Sequence, residues 1–318
     1  MNMRSSELGV VAAYFNPCGY RTKRQNLERF ADAVRASGVS LVIAEAAFDG
    51  EDFTLPASLN SLQVRARDVM WQKERLLNVA VAALPPQCTK VAWLDADVLF
   101  ASADWAEATS VALDRYPIVQ LFDEAVRLPP GHTAFRGVGE QYRGFAAAYV
   151  ESPQVLLSGD FARHGHTGFA WAARRELIAK HGLYDACIAG SGDHMMAHAF
   201  CGDWEGPCVR RILGDGGPHR AYFRAWSKRL YSDVRARVGV VPGALWHLWH
   251  GEIANRRYVL RNRELAAFDF DPARDLRIGQ SGCWEWATRK PALHTWARNY
   301  FDHRREDEVA PAAIEKSA

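Results

Sequence analysis

Short apolar runs alternate with longer amphipathic segments along the first hundred residues. The run from Leu8 to Phe15 is followed by the breaker segment 16–19, which predicts a buried strand and then a loop. Residues 22–37 carry an apolar side chain at every third or fourth position before Gly38, which predicts a helix closed by a glycine. The same patterns predict strands at 41–44, 62–64 and 90–94, and a second helix at 70–84.

The alternation continues, less regularly, in the rest of the chain. It predicts a helix at 105–115, a strand at 118–122, a glycine-rich loop at 129–144, a strand at 169–172, and helices at 174–181 and 193–200. Strands alternating with helices predict an α/β fold with a mostly parallel central sheet flanked by helices. Ligands of such sheets bind outside the carboxyl ends of the strands, so the residues that follow each strand are candidates for function.

The amino-acid composition excludes several classes of protein. Apolar residues make up 48% of the 318 residues and charged residues 24%, which excludes a disordered or fibrous chain. No apolar run approaches the ~20 residues needed to span a bilayer. The first residues are typical of a strand rather than a signal peptide. We therefore expect no membrane span and a cytoplasmic location.

The six cysteines are scattered without any C-x-x-C pair. In a chain of this length that distribution favours reduced thiols. We therefore expect any metal ion to be held by carboxylates and histidines rather than by cysteines.

Positive charge is concentrated in residues 205–263, where 12 Lys and Arg face 4 Asp and Glu, a local net charge of +8. One interpretation is a solvated surface balanced by acidic residues elsewhere in the fold. The other is a binding surface for a polyanion, either a diphosphate or a nucleic acid.

Two carboxylates, Asp95 and Asp97, directly follow the predicted strand at 90–94. Carboxylates at the ligand edge of an α/β sheet can bind a divalent cation that also contacts phosphate oxygens. Two solvated aspartates in a turn are the alternative.

The segment that contains them is WQKERLLNVAVAALPPQCTKVAWLDADVLF, residues 71–100. It resembles the β-1,4-galactosyltransferases, whose helix and following Asp-x-Asp match residues 75–80 and then Asp95 and Asp97. More broadly, the chain is similar to bacterial and phage nucleotide-sugar glycosyltransferases of the GT-A fold, from the first strand to about Arg261. The resemblance implies a UDP-sugar donor, Mn²⁺ or Mg²⁺, and transfer of the sugar to a hydroxyl group with inversion.

A second segment, HGHTGFAWAARRELIAKHGLYDACIAGSGDHMMAHA at 164–199, resembles the family region that leads to the catalytic carboxylate. The resemblance places Asp193 as the general base, at the start of a helix whose N-terminus stabilises the anion. Asp185 is the alternative base, and its other possible role is to order the turn after Gly182. His164 and His166 either approach sugar or acceptor hydroxyls or have a loop role without chemistry.

The third segment, at 246–251, contains His247 and His250. Two histidines three apart can share one face, and neutral imidazole suits Mn²⁺ better than Mg²⁺. The resemblance maps His250 onto the family's metal-binding His and His247 onto its Met. Aromatic packing with satisfied core histidines is the alternative, and Trp246 or Trp249 is expected near the site.

Residues at the ends of the first strands are expected to hold the donor nucleotide. Glu45 has two interpretations, a contact to the pyrimidine N–H or a cap for the following loop. Asp95 would orient the ribose or a water molecule on the metal ion. The predicted donor-binding residues are Asn16, Pro17, Glu45, Arg67, Lys73, Arg75 and Asp95.

These observations predict a GT-A domain at 1–262, with a donor-binding half at about 1–125 and a catalytic half at 126–262. A helical extension at 263–304 and a disordered tail at 305–318 would follow. The expected acceptor is a saccharide, a protein or a modified base of phage-type DNA. Rival functions are a phosphatase of the haloacid-dehalogenase type and a binder of nucleotide-sugars without catalysis. Oligomeric state is not predicted.

Overall fold

The computed structural model describes residues 7–48, 50–160 and 163–309. The strands are β1 (Leu8–Phe15), β2 (Ser40–Phe48), β3 (Leu62–Ala66), β4 (Lys90–Leu94), β5 (Val98–Phe100), β6 (Ile118–Gln120), β7 (Glu124–Arg127), β8 (Glu140–Arg143), β9 (Ala170–Arg174), β10 (Val238–Val240), β11 (Ala244–His247), β12 (Leu276–Ile278) and β13 (Trp284–Trp286).

The helices are α1 (Arg21–Ala36), α2 (Lys73–Ala83), α3 (Trp105–Arg115), α4 (Phe145–Glu151), α5 (Arg175–His181), α6 (Gly192–Phe200), α7 (Pro207–Leu213), α8 (Pro218–Val234), α9 (Tyr258–Ala266), α10 (Pro272–Asp275) and α11 (Pro291–Asp302). Three short 3₁₀ turns lie at Ala57–Leu59, Pro153–Ser158 and Ile253–Arg256. No helix among the described residues has both the length and the apolar character to cross a bilayer.

Seven strands form the central sheet in the order β10-β6-β9-β4-β1-β2-β3. Strand β9 pairs antiparallel with β4 and β6, and the other pairings are parallel. The predicted mostly parallel α/β sheet is therefore confirmed. Strands β4 and β1 are neighbours, so the carboxyl ends that carry Asp95 and Asn16 lie at the same edge.

Both faces of the sheet are covered, which explains why β1 is apolar throughout. Val11 belongs to the core that contains Leu76 and Leu77 of α2. Its neighbour Val10 belongs to the core on the other face, with Phe30 of α1. Successive side chains of a strand point to opposite faces, so a strand buried on both sides shows no polar alternation.

A second sheet, β5-β11-β7-β8, lies beyond the carboxyl end of β4. Strand β11 pairs antiparallel with β5, and His247 is opposite Val98. The amide of Leu248 donates to the carbonyl of Asp97, at 2.8 Å. This pairing places the late histidine segment directly beside the Asp95 to Asp97 turn.

The predicted strand and helix boundaries hold for β1, β4 and α3 and differ at two functional positions. Strand β2 continues to Phe48, so Glu45 lies within the strand rather than at its end. Helix α2 begins at Lys73 rather than at residue 70. The reason is Gln72, whose buried amide bonds the backbone N–H and C=O of Trp284, at 3.0 and 2.8 Å.

The segment after residue 262 packs onto the main body. Trp284, Trp286 and Leu293 share an apolar cluster with Met70 and Ile188. Helices α10 and α11 and the β12–β13 hairpin therefore form a mixed extension, whereas we predicted a purely helical one.

The prediction of a disordered tail from residue 305 is wrong for residues 305–309. The Glu306 side chain is fully buried, and Asp307 accepts hydrogen bonds from the amides of Arg21 and Thr22, at 2.8 and 2.7 Å. Asp307 thereby satisfies free N–H groups at the start of α1, as a capping residue does. The rest of the predicted tail, 310–318, lies outside the described residues.

Candidate active site

The Asp95 to Asp97 turn is anchored at the carboxyl end of β4. The amide of Asp95 donates to the carbonyl of Phe169 at 2.8 Å, and the carbonyl of Asp97 accepts from Leu248. The backbone is therefore held from two sides. This geometry leaves the two carboxylates to point in different directions, Asp97 towards histidines and Asp95 towards a lysine.

Asp97, His247 and His250 form one cluster, which we call the edge cluster. One oxygen of Asp97, Oδ2, lies 3.0 Å from Nε2 of His250, and the other, Oδ1, lies 3.6 Å from Nε2 of His247. The two Nε2 atoms are 3.1 Å apart. All three side chains are mostly buried, and Oδ1 of Asp97 has no hydrogen-bond partner among the described residues.

This donor set fits a divalent metal ion. One carboxylate oxygen and two imidazole nitrogens converge within 4.8 Å of one another. The buried Oδ1 without a partner is costly unless something satisfies it. Mixed nitrogen and oxygen ligands suit Mn²⁺ better than Mg²⁺, which prefers oxygen. The structure thus brings together Asp97, His247 and His250, the predicted metal ligands other than Asp95.

The charge state of the cluster also suits a cation. Burial acts against ionisation of Asp97, but His250, His247 and Arg256 together outweigh it and hold the pKa of Asp97 below its usual range. Burial lowers the pKa of His247 well below its ordinary value, so that ring is neutral. An ionised carboxylate beside a neutral imidazole is the form that binds metal.

Glu306 supports the edge cluster from behind, and sequence reasoning missed it. Its Oε1 lies 3.4 Å from Nδ1 of His250 and 2.6 Å from Nε of Arg304. Burial opposes ionisation, but Arg304 and Lys23 hold the pKa of Glu306 well below its usual range. Arg256 adds a third cation, 3.6 Å from the same oxygen, and its Nη2 lies 2.8 Å from Nδ1 of His250. A carboxylate on the far nitrogen of a metal-binding histidine orients the ring.

Lys73 links the turn to the predicted base. Its ammonium lies against Asp95 and, at 2.6 Å, against Oδ2 of Asp193. Burial, reinforced by the negative charges of Asp193 and Asp97, raises the pKa of Asp95 to about 6, although Lys73 acts in the opposite direction. The predicted Lys73, Asp95 and Asp193 are therefore in direct contact.

Asp193 is the second residue of α6, with its side chain at the positive end of the helix. The preceding Ser191 has a φ of +82°, and its hydroxyl accepts from Arg261 at 2.8 Å. Close packing allows no side chain at Gly192, where a Cβ would clash with the buried Glu74. The Gly-Ser-Gly-Asp segment is thus a tight turn that directs Asp193 towards Lys73.

His166 lies near Asp193 but has a packing role. Its Nδ1 accepts from the amide of Gly168 at 3.1 Å, and its ring stacks on Phe169 with centroids 3.8 Å apart. The Phe169 ring lies 4.7 Å from that of His247. The interpretation of His166 as a loop residue is therefore favoured over a contact to sugar hydroxyls.

The predicted contact of Glu45 with a pyrimidine is wrong. Its buried carboxylate accepts three hydrogen bonds, from the amides of Thr54 and Leu55 and from the hydroxyl of Ser61, at 2.7 to 2.9 Å. The cause is the longer β2, which places Glu45 beneath the loop it organises. The alternative loop-capping role is the correct one.

Two other predicted donor-binding residues, Asn16 and Arg67, make their contacts within the protein. Asn16 closes its own loop, with Oδ1 accepting from the amide of Tyr20 at 3.0 Å and Nδ2 donating to the Tyr20 carbonyl at 2.8 Å. Pro17 lies in that loop and is partly exposed. Arg67 pairs with Asp68 and Glu285, at 2.7 and 3.0 Å, and so points to the C-terminal extension.

Arg75 also differs from its predicted role. It pairs with Asp185 at 3.1 Å, and Asn78 donates to the same carboxylate at 3.0 Å. Arg75 and Asp185 line a cleft of about 590 Å³ whose lining does not include Lys73 or Asp193. Asp185 therefore orders the turn after Gly182, and its alternative assignment as the base is not supported.

Neither a protein-family model nor a curated protein sequence matches the chain. Among solved structures, the chain is similar to glucosyl-3-phosphoglycerate synthase from Mycobacterium tuberculosis in complex with Mn²⁺, UDP and glucosyl-3-phosphoglycerate. That match has 13% identity and a TM-score of 0.44, and covers 81% of this chain and 78% of the other.

Two further solved structures are also similar to this chain. The catalytic domain of Drosophila β1,4-galactosyltransferase 7 has 12% identity and a TM-score of 0.33, covering 74% of this chain and 65% of its own. A glycosyltransferase involved in glycosylation of the PBCV-1 major capsid has 11% identity and a TM-score of 0.35, covering 78% and 96%. Since all these values are low, we base the functional assignment on the side chains at the sheet edge.

Proposed function

We propose that the chain is a metal-dependent glycosyltransferase that moves a sugar from a nucleotide-sugar, a UDP-sugar, to an acceptor hydroxyl with inversion. The observation that carries the proposal is the juxtaposition of the edge cluster with the Lys73 bridge between Asp95 and Asp193. Metal ligands, a cation and a carboxylate base then lie at one edge of the sheet, where α/β proteins bind ligands.

Asp97, His247 and His250 would hold the metal ion. Mn²⁺ or Mg²⁺, when bound, would supply positive charge against the leaving diphosphate. Around this position the protein adds its own cations, because Lys73 and the buried Arg256 lie beside the aspartates and the histidines. Asp95 would orient the ribose or a water molecule on the metal ion.

Asp193 is proposed as the general base. As the acceptor oxygen forms a bond to the anomeric carbon, the bond from that carbon to the diphosphate breaks and the hydroxyl proton passes to Asp193. Attack from the face opposite the leaving group inverts the anomeric carbon. The ammonium of Lys73 lies 2.6 Å from Oδ2 of Asp193 and so orients its side chain before the acceptor arrives.

The domain boundaries stay part of the proposal. The predicted donor half at 1–125 contains Asp95 and Asp97, and the predicted catalytic half at 126–262 contains Asp193 and the two histidines. We also infer a reducing compartment such as the cytoplasm, because all six cysteines are free.

The acceptor is proposed to be a saccharide or protein hydroxyl. The basic stretch at 205–263 is less available for DNA than its charge suggests. Arg256 and Arg261 are buried at the site, and Arg220 and Arg224 pair with Glu205. Binding of duplex DNA tested at about 50 and 200 mM salt separates the two classes, because phosphate contacts weaken steeply with salt. Salt-sensitive binding at the lower concentration would favour modified DNA instead.

The test of the function is consumption of UDP- and GDP-sugars by the purified protein with Mn²⁺, with Mg²⁺ and with a chelator. We expect release of the nucleoside diphosphate from one donor only when a divalent ion is present, and loss of that release in Asp97→Ala. Donor that binds but is never consumed, even with a panel of acceptors, would indicate a binder instead of an enzyme.

The same preparation tests the phosphatase alternative. Hydrolysis of p-nitrophenyl phosphate that disappears in Asp95→Asn, together with no donor turnover, would replace the proposed transferase with a phosphatase. The placement of Asp95 after β4 rather than after β1, and its contact with Lys73, support the transferase.

A further inference from the structure

Three histidines and one cysteine converge at a second place, which we call the thiol–histidine cluster. It consists of His164, His194, His198 and Cys208, each with a possible ligand atom within 4.8 Å of the others. His198 and Cys208 have no exposed surface, and His164 is 1% exposed. None of the four belongs to the edge cluster or contacts Lys73.

Three separate segments supply the cluster. His164 lies in the loop before β9, and Cys208 is the second residue of α7. His194 and His198 are four residues apart on α6, so both point from one face of that helix. A group bound here would join the loop before β9, α6 and α7.

Hydrogen bonds to the Nδ1 atoms fix the rings in an arrangement known from metal sites. Nδ1 of His198 lies 2.7 Å from Oδ2 of Asp203, and Nδ1 of His164 lies 2.8 Å from the carbonyl of Gly165. A carbonyl oxygen only accepts, so Nδ1 of His164 carries the proton and Nε2 carries the lone pair. Oγ1 of Thr167 is 3.3 Å from Nδ1 of His194. Metal-binding histidines typically use such outer partners.

His198 adds an independent observation. Its Nε2 is buried without a hydrogen-bond partner among the described residues, while its Nδ1 is held by Asp203. A buried polar atom without a partner costs free energy and calls for an explanation such as an ion. The nearby thiol of Cys208 cannot satisfy it as well as a metal ion can, because S–H is a weak donor.

We propose that His164, His194, His198 and Cys208 bind one Zn²⁺ ion in a closed, four-coordinate structural site. Zinc takes nitrogen and sulfur ligands in tetrahedral geometry, at about 2.0–2.3 Å. Those bond lengths place ligand atoms about 3.3–3.7 Å apart. Four atoms within 4.8 Å can therefore reach one centre by small rotations of their side chains.

The proposed site departs from the sequence-based expectation that any metal ion is held by carboxylates and histidines rather than by cysteines. Cys208 is far along the chain from His164, and no C-x-x-C pair marks it. The ion would fix α6, whose second residue is Asp193, against the loop that precedes β9. Any effect of the ion on sugar transfer therefore rests on the proposed function, whereas binding of the ion does not.

The experiment first removes Zn²⁺ from the reduced full-length protein with a chelator, removes the chelator, and then adds Co²⁺ as a spectroscopic substitute. We expect one equivalent of Co²⁺ to give the near-ultraviolet thiolate-to-cobalt charge-transfer band, which the sulfur-free edge cluster cannot produce. Cys208→Ser should abolish the band. Cys201→Ser, which removes a nearby thiol outside the cluster, and Asp97→Ala should both retain it.

Melting measurements and zinc content complete the test. The protein as purified should contain one tightly held Zn²⁺, and its removal should lower the Tm of the wild type by roughly 5 to 10 °C. Chelation should leave the Tm of Cys208→Ser unchanged. His198→Ala serves as a second variant should Cys208→Ser fail to fold. Two results would overturn the proposal and leave the cluster as aromatic packing. One is a wild-type protein that shows no thiolate band, and the other is a band that survives in both Cys208→Ser and His198→Ala.

Discussion

The edge cluster and the thiol–histidine cluster use similar residues but differ in closure. The edge cluster offers three side chains, and the Asp97 side chain is 18% exposed. The thiol–histidine cluster offers four, of which His198 and Cys208 are fully buried. Metal sites that keep an open position serve catalysis, whereas closed sites serve structure. The number of side chains and their access to solvent, rather than the residue types alone, therefore separate the two roles.

The two clusters also share one feature, a carboxylate behind a histidine. Glu306 lies 3.4 Å from Nδ1 of His250, and Asp203 lies 2.7 Å from Nδ1 of His198. Asp203 is a hydrogen-bonding partner that fixes its ring and raises its basicity. Nδ1 of His250 lies closer to Nη2 of Arg256, at 2.8 Å, than to Glu306. Helix α6 carries two residues of different sites. Asp193 contacts Lys73 at the sheet edge, and its neighbour His194 belongs to the thiol–histidine cluster.

The largest expected effect is that of Asp97→Ala on the edge cluster. We expect Mn²⁺-dependent affinity for UDP to fall by more than roughly 100-fold, because loss of a direct ligand should exceed the effect of losing an outer partner. Isothermal titration calorimetry measures this affinity in the wild type and in the variant. The exposed Asp52 provides the matched control Asp52→Ala, and unchanged affinity in Asp97→Ala would remove that residue from the site.

The next effect concerns Asp193, which lies between the clusters. Asp193→Asn should bind donor nearly normally and transfer sugar roughly 100-fold more slowly, the usual scale for a lost general base. Asp185→Asn is the matched control, because Asp185 orders a turn with Arg75 and Asn78. If the two variants lose transfer equally, Asp193 is not the base.

A smaller effect is expected from the outer carboxylate of the edge cluster. Glu306→Gln removes the charge beside His250 and should weaken Mn²⁺ binding by roughly 10-fold. The exposed Glu308 gives the control Glu308→Gln. Manganese titration followed by electron paramagnetic resonance checks the prediction. Equal affinities in both variants would show that Glu306 only fills space.

The smallest effect on turnover is expected at Glu74, where stability rather than transfer should change. Burial raises the pKa of Glu74 to about 8 in the folded protein, with Lys73 opposing and Asp193 reinforcing the shift. Between the unfolded value of about 4.3 and this value, the unfolded chain releases a proton that the folded chain keeps. The folded state should therefore lose stability as pH rises through this range.

Glu74→Gln cannot release that proton. The variant should match the wild type near pH 4 and exceed its stability at pH 8 by on the order of 4 to 5 kcal/mol. Urea unfolding at several pH values measures the difference. If the free energy of unfolding changed with pH in the same way for both proteins, Glu74 would not be buried in its protonated form.

Much of the sheet was predictable because its strands are buried on both faces. The apolar runs of β1 and β4 stand out from their polar flanks, and the Asp pair follows β4 directly. The second sheet was not predicted, because β5, β7 and β11 have only three or four residues and no clear period. These strands pair with one another in the second sheet, between segments that lie far apart in the sequence.

The site was predictable where a short segment of the sequence carries a recognisable motif. Asp97, His247 and His250 come from segments with recognisable spacing, and the structure brings them together. Glu306 and Arg256 gave no local signal, because their roles arise from tertiary burial. Glu45 was misassigned for the opposite reason, since its strand ends four residues later than its apolar run suggested.

The buried Glu306 has a consequence for how the protein is made. During synthesis, His250 and Asp97 leave the ribosome well before the segment 304–307 that covers them. The edge cluster cannot acquire its outer carboxylate until almost all of the described chain is available. Contacts between such distant positions form slowly and late in folding. Completion of this site therefore requires residues 304–307, and a chain that lacks them would have no carboxylate beside His250.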